Sequence, residues 1–476
     1  MLRVLWRVAA VLVVFCAGVV ACEALYHLMS RHGVAITGDE PSYIMLAQAM
    51  SHSSVHITAT IRHDLSARVF GNTYPPNATA ANVERAAGPT GIVSPFDPGL
   101  SVLLLPFVVV FGPVGGGTLG VIAVNVAGLI WLHRRSSYLG RVDAVGQVVL
   151  AAVFALPAVG VAATQIYPDL PSGLLAGAGV VELAIVERDR RVSATSLAAI
   201  TVSVAGIAWL QPKNVIFALL LLVAVLMVVV LRRPITPRIG LAAFVVVSVG
   251  SLAALGVYNT HFYGHLLGLP EPPLKVTRSG IQRTIGLLWD RDQGLFVQAP
   301  FCLIGLGCLV AYGWRRLTFS AGVTFAYFAA ILVLNGMYPN PYGGYSLAGR
   351  FMWTLLGLSL PWIGLALGRA AEVRKPLGVV LVVVLVAWVY QVEPILAGLR
   401  EYYNPLAANY HPWPTWWRGL DHILPRFGNT SAIFGAPPGR TLLEVGLEAV
   451  AVGWTLWWLR KPLGRRHTAV RTQTSR

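Results

Sequence analysis

The chain has 476 residues, 56% of them hydrophobic and only 12% charged, with a formal net charge of +16 and a mean hydropathy of +0.66. These values exclude an ordinary soluble globule and place the sequence among polytopic membrane proteins. A basic balance points to nucleic acid only where Lys and Arg cluster on one folded face; here they stand in short runs between apolar segments, as the positive-inside rule expects, so nucleic acid is not an expected partner.

Taken in chain order, apolar stretches of about 17–25 residues predict an all-α protein of about twelve spans, near 4–27, 115–132, 144–164, 172–187, 194–211, 214–231, 239–259, 296–313, 319–336, 352–368, 377–395 and 441–459. The first begins MLRVLWRVAA, and VVAC at 19–22 resembles a lipid-attachment box, but the span continues through EALYHLM and reads as a transmembrane helix. The segment 97–112, DPGLSVLLLPFVVVFG, is apolar but too short to cross, and reads as a half-buried or interfacial helix. With that choice HRRSSYLGR, ERDRR, RRPITPR, WRRL, GRAAEVRK and the basic tail all fall on the cytoplasmic side. Both termini are then cytoplasmic, and the long connections 28–114, 260–295 and 396–440 are extracytoplasmic. The organisation expected is a transmembrane core over 1–395 with its first outer loop at 28–114, an aromatic-rich outer segment 396–440 containing HPWPTWWRG, and a last span with a basic tail over 441–476.

The four cysteines, Cys16, Cys22, Cys302 and Cys308, lie in or beside apolar segments and read as small apolar fillers, with no disulfide framework and no paired-cysteine metal motif. No phosphate-binding Gly-rich loop and no inverted repeat of broken helices is present.

Four constellations could carry chemistry, all on the outer side. Asp39 and Glu40 stand in ITGDEPSY after the first span, and Asp169 in QIYPDLPSG, a tight turn between two spans. Lys275, Arg278 and Arg283 lie in the polar loop 260–295, and Arg350 opens a span in NPYGGYSLAGRFMW. Each has a plainer reading: acids favour the first turn of a helix, where Pro41 also fits, loops are wet, and a boundary Arg snorkels. Against this, carboxylates so near hydrocarbon are costly and mark functional sites by default. The cations, with Lys213 in AWLQPKN, suit a phosphate, which guanidinium binds bidentately. A carboxylate base beside cations on an outer face suits a transfer reaction: the base takes a proton from an attacking hydroxyl and the cations stabilise a departing phosphate. An activated donor on that face would arrive attached to a lipid.

At these residues the chain resembles the GT-C class of integral-membrane glycosyltransferases, particularly bacterial relatives of protein O-mannosyltransferases and of the aminoarabinose transferase that modifies lipid A. The resemblance rests on GDEPSY, SPFDPGLSVLLLPF, YPDLP, DRDQGLFVQAPF and GGYSLAGRF in that order, and covers about residues 1–370. It implies the GT-C fold, a polyprenyl-phosphate sugar donor and a hexosyl or pentosyl transfer to a lipid, glycan or protein acceptor at the cell membrane. It also implies that Asp39 is the catalytic base, Glu40 its orienting neighbour, Asp169 the second-loop acid and Arg350 the residue facing the donor phosphate. Tyr43, Tyr167 and Tyr345, within these motifs, and Asp97 are candidates for binding substrate. Asp97 departs from the His-Pro-Pro or Tyr-Pro-Pro start common in the class and is an extra acid. No cofactor is demanded; should a divalent metal assist, Asp39 and Asp169 are the carboxylates to hold it, since hard cations take oxygen ligands.

Two readings from other classes stay open. A transporter or flippase for a lipid-linked sugar would bind the same groups but place ionisable residues near the bilayer midplane. A non-catalytic scaffold would leave the acids without a role and would separate Asp39 from Asp169.

Overall fold

A computed structural model describes residues 40–57, 87–88, 91–92, 94, 96–235, 237–268, 278–289, 294–337 and 350–373. Asp39, Lys275, Tyr345, the segments expected to span at 4–27, 377–395 and 441–459, and the segment 396–440 lie outside the described residues. Fourteen α-helices of four or more residues, with a single helical turn at Trp314–Arg316, account for most of what is described, accompanied by one antiparallel pair of two-residue strands, Ala87–Gly88 and Gly91–Ile92.

Helix α1, Glu40–Ser51, starts at the acid of GDEPSY, with Pro41 in its first turn, where a missing N–H costs nothing. Helix α2, Gly99–Phe111, is the short apolar segment expected at 97–112; its 13 residues reach only about 20 Å at 1.5 Å per residue, short of the roughly 30 Å of hydrocarbon. The chain reverses at Gly112, whose φ of +79° is open to glycine but costly for an L side chain. It then runs as α3, Pro113–Gly140, back along α2.

Next come α4 (Ala144–Phe154), α5 (Pro157–Thr164), α6 (Asp169–Asp189), α7 (Ala194–Leu210), α8 (Val215–Arg232) and α9 (Arg238–Tyr263). Then follow α10 (Arg278–Trp289), α11 (Leu295–Gln298), α12 (Pro300–Cys308), α13 (Thr318–Met337) and α14 (Trp353–Val373). Among the described residues, six helices are long and apolar enough to cross a membrane: α3, α6, α8 with its preceding turn, α9, α13, and α14 with the turn before it. The protein is therefore membrane-embedded.

Two expected spans are not continuous. The stretch 144–164 divides into α4 and α5 because Pro157 supplies no N–H to the helix before it. The stretch 296–313 divides at Ala299–Pro300, and beyond α12 it widens into a π-helical turn at Leu309–Gly313. The loop expected at 260–295 also contains a helix, α10, which packs on α13.

The centre of the bundle is α6, flanked by α3, α7, α8, α13 and α14. Its most apolar window and that of α14 are each 94% buried. The two helices approach so closely at Gly173 and Gly357 that a methyl on either would enter the other's backbone, the contact that small residues permit between membrane helices. With 21 residues, α6 is about 30 Å long, so its ends lie at opposite membrane faces. Asp169 opens one end; Glu187, Arg188 and Asp189 close the other.

Candidate functional site at the Asp169 end

The turn 165–168 breaks the chain between α5 and α6 and delivers Asp169 at the first turn of α6, where a carboxylate suits the helix dipole. Its side chain is fully buried, so its charge must be met inside the protein. The Oδ1 atom accepts from Gln211 Nε2 at 3.1 Å and lies 3.4 Å from Lys213 Nζ. Oδ2 accepts from Arg350 Nε at 3.2 Å, and the backbone carbonyl accepts from the Thr354 hydroxyl at 3.0 Å.

Three elements supply these partners. Gln211 and Lys213 come from the 3-10 turn region between α7 and α8, and Arg350 from the 3-10 turn before α14. Lys213 Nζ also donates to Asn335 Oδ1 at 3.2 Å, and Asn335 donates to the carbonyl of Phe351 at 2.8 Å, so α13 is tied into the cluster. The guanidinium carbon of Arg350 lies 3.7 Å from the centre of the Tyr167 ring, close enough for cation–π attraction. One residue further, Asn214 donates to Ser172 at 2.8 Å and accepts from the Tyr327 hydroxyl at 2.6 Å, locking α6, α8 and α13 around the site.

Glu40 joins from the first loop. It is 3% exposed, and its Oε1 accepts from the backbone N–H of Ile166 at 2.7 Å, in the turn that carries Asp169. Tyr43, one turn along α1, stacks on Phe96 with ring centroids 5.1 Å apart, and its carbonyl accepts from Ser101 at 2.8 Å. The structure thus gathers Glu40, Tyr43, Tyr167, Asp169, Lys213 and Arg350 at one end of the bundle. Arg283 lies on α10 and donates to the carbonyl of Gly336 at 3.0 Å, beside Asn335; Arg278 opens the same helix.

Asp97 stands apart chemically. It is 4% exposed, its Oδ2 has no hydrogen-bond partner among the described residues, and burial pushes its carboxyl up to about 7. Near it, Tyr263 donates to the carbonyls of Ser94 and Phe96. Among the described residues no group of three or more His, Cys, Asp or Glu could hold a metal ion. Of the expected metal-binding pair, Asp169 already faces two cations.

Sequence reasoning did not single out Gln211, Asn335 or Thr354. Gln211 had a signal, standing two residues from Lys213 in the same polar turn. Asn335 and Thr354 had none beyond being polar near the ends of apolar segments.

No protein-family model matches the chain, and no curated protein matches it. Among solved structures, the Archaeoglobus fulgidus oligosaccharyltransferase in its apo form is 11% identical at a TM-score of 0.49 over 87% of this chain. ArnT from Cupriavidus metallidurans is 16% identical in its apo state at a TM-score of 0.46, and 14% identical at 0.46 when bound to undecaprenyl phosphate, each over 96% of this chain. The chain spans 58% of the length of that oligosaccharyltransferase and 75% of that of apo ArnT. Both belong to the GT-C class that the motif order resembles; at these scores and identities the likeness assigns no reaction, substrate or partner to this chain.

Proposed function

We propose that the chain is a glycosyltransferase that moves a sugar from a polyprenyl-phosphate donor to an acceptor hydroxyl on the extracytoplasmic face of the cell membrane. The observation that carries this reading is the meeting of the first-loop acid with the paired acid and cations: Glu40 is bonded to the 165–168 turn, and Asp169, just after it, holds Lys213 and Arg350.

The chemistry runs as a single inverting displacement. The acceptor oxygen bonds to the anomeric carbon, and its proton passes to Asp39 acting as general base. The bond from that carbon to the phosphate oxygen breaks, and its electron pair leaves with the polyprenyl phosphate. That leaving group is weakly basic and needs no general acid, only cations to receive the charge. Asp169 serves as a positioning residue: buried and countered by two cations, it holds Arg350 and Lys213 where donor phosphate would meet them. Arg283, with Lys275 and Arg278, would extend the cationic side toward the lipid, and Glu40 would fix the helix start that presents Asp39.

The test is transfer from a lipid-linked donor in vesicles. Asp39→Asn is expected to abolish turnover while leaving donor binding intact; wild-type turnover in that variant would overturn the assignment. Net movement of labelled lipid across the bilayer, without a new glycosidic bond, would establish the flippase reading instead.

A further inference from the structure

At the far end of α6, about 30 Å from Asp169 by helix rise, the bundle contains a cavity of about 720 Å³ that the transfer reaction does not use. Arg135, Tyr138, Asp189, Arg191, Ser193 and Ile235 are among its lining residues. Its frame is stiff. Val192 N–H donates to the carbonyl of Ile235 at 3.0 Å, and Ile235 N–H to that of Arg190 at 3.3 Å, which clips the loop after α6 to the loop after α8. Ser193 caps α7 by accepting from Ser196 N–H at 3.0 Å.

The charges around this cavity do not cancel. Arg135 is held in a bidentate pair by Glu182, which is buried within α6. Arg188 pairs with Asp189, which also accepts from the Tyr138 hydroxyl at 2.9 Å. Arg191 forms no ion pair among the described residues, is exposed, and lines the cavity, so one positive charge is left over. The walls are also greasy: Ile235 is 76% exposed, and Ile239, at the start of α9 just past the lining residue Pro237, is 87% exposed. A basic pocket between helices at the membrane surface with apolar flanks matches an anionic phospholipid, whose phosphodiester carries one negative charge and whose chains stay in the bilayer.

We propose that this cavity binds the phosphate of an anionic phospholipid, with Arg191 as its counter-charge and Arg135 and Tyr138 forming the opposite wall. The phosphate could equally reach the cavity as a free ion, so the experiment separates the two sources. Full-length protein in detergent is titrated with phosphatidylglycerol and, separately, phosphatidylcholine, and the tightest retained lipid is measured by native mass spectrometry. Phosphatidylglycerol is expected to be retained preferentially. Arg191→Ala is expected to weaken that retention about tenfold or more, the effect of losing one charge-assisted contact. Ser193→Asp should do the same by placing a negative charge at the cavity while keeping an equally good helix cap. Arg238→Ala, on a nearby cation that does not line the cavity, should leave retention unchanged, and inorganic phosphate should fail to displace the lipid. Equal retention of the two lipids would overturn the proposal, as would unchanged retention in both cavity variants, an equal loss in Arg238→Ala, or displacement by inorganic phosphate.

Discussion

The carboxylate of Glu40 receives the backbone N–H of Ile166 at 2.7 Å across 126 residues of sequence, joining the first outer loop to the turn that delivers Asp169. Both partners are buried, so Glu40→Ala leaves a buried N–H without an acceptor and is expected to cost about 1–3 kcal/mol. Glu40→Gln retains a carbonyl oxygen in the same place and should restore most of the stability. Thermal melting of the purified variants checks this; equal losses in Ala and Gln would show that the charge, not the hydrogen bond, holds the turn.

Asp169 and Arg350 should behave as one unit. Removing Asp169 takes from Arg350 and Lys213 the carboxylate they share, and removing Arg350 leaves Asp169 to Lys213 and Gln211; each is expected to cost up to about 3–5 kcal/mol, and removing both costs less than the sum. Asp169→Asn, Arg350→Met and the double variant form the cycle, read by melting temperature. Additive losses would mean that Lys213 alone satisfies Asp169. Arg350→Lys keeps the charge but loses the flat guanidinium that lies on Tyr167, and transfer is expected to fall about tenfold or more with it.

Much of this arrangement was legible in the sequence, for definable reasons. Six of the expected spans coincide with described helices long enough to cross, because apolar run length marks them, and the 97–112 segment was recognisable as too short to cross because rise per residue fixes its reach. Asp169, Lys213 and Arg350 were each visible as charges beside hydrocarbon. Their mutual pairing was not visible, because nothing in the sequence tells which of three distant loops meet. The breaks at Pro157 and Ala299–Pro300 show the complementary failure: hydropathy averages over a window, whereas a proline acts at one bond. At the opposite end, ERDRR and HRRSSYLGR read only as a topology signal, yet Glu182 and Glu187 bind Arg135 and Arg232 inside the fold.

The contact of Gly173 with Gly357 sets the spacing of α6 and α14, the two most buried of the six described candidate spans. A methyl at position 357 has no room unless α14 shifts, so Gly357→Ala is expected to destabilise by about 1–3 kcal/mol through overpacking. Gly322, on α13, meets nothing within 4 Å of an added methyl, and Gly322→Ala should be neutral or slightly stabilising, since alanine is the better helix former. Comparable melting of the two variants would mean that α6 and α14 are not held at this distance.

Asp97 gives the protein a specific pH response. Burial raises its carboxyl from an ordinary value of 3.8 to about 7, so the folded protein holds this proton more tightly than the unfolded chain. Between these two values the folded state binds more protons than the unfolded chain, and stability falls as pH rises. The stabilisation is fully present below about pH 4, declines as pH passes upward to about 7, and is absent above that, a swing of at most about 4 kcal/mol. Above pH 7 the ionised carboxylate is buried with one oxygen unpartnered among the described residues. Asp97→Asn stays neutral throughout and is expected to flatten the decline between pH 5 and pH 8, leaving the rest of the stability profile in place. Melting temperature across that range, in wild type and variant, measures the difference; parallel curves would show that Asp97 is ionised in the folded protein at all these pH values.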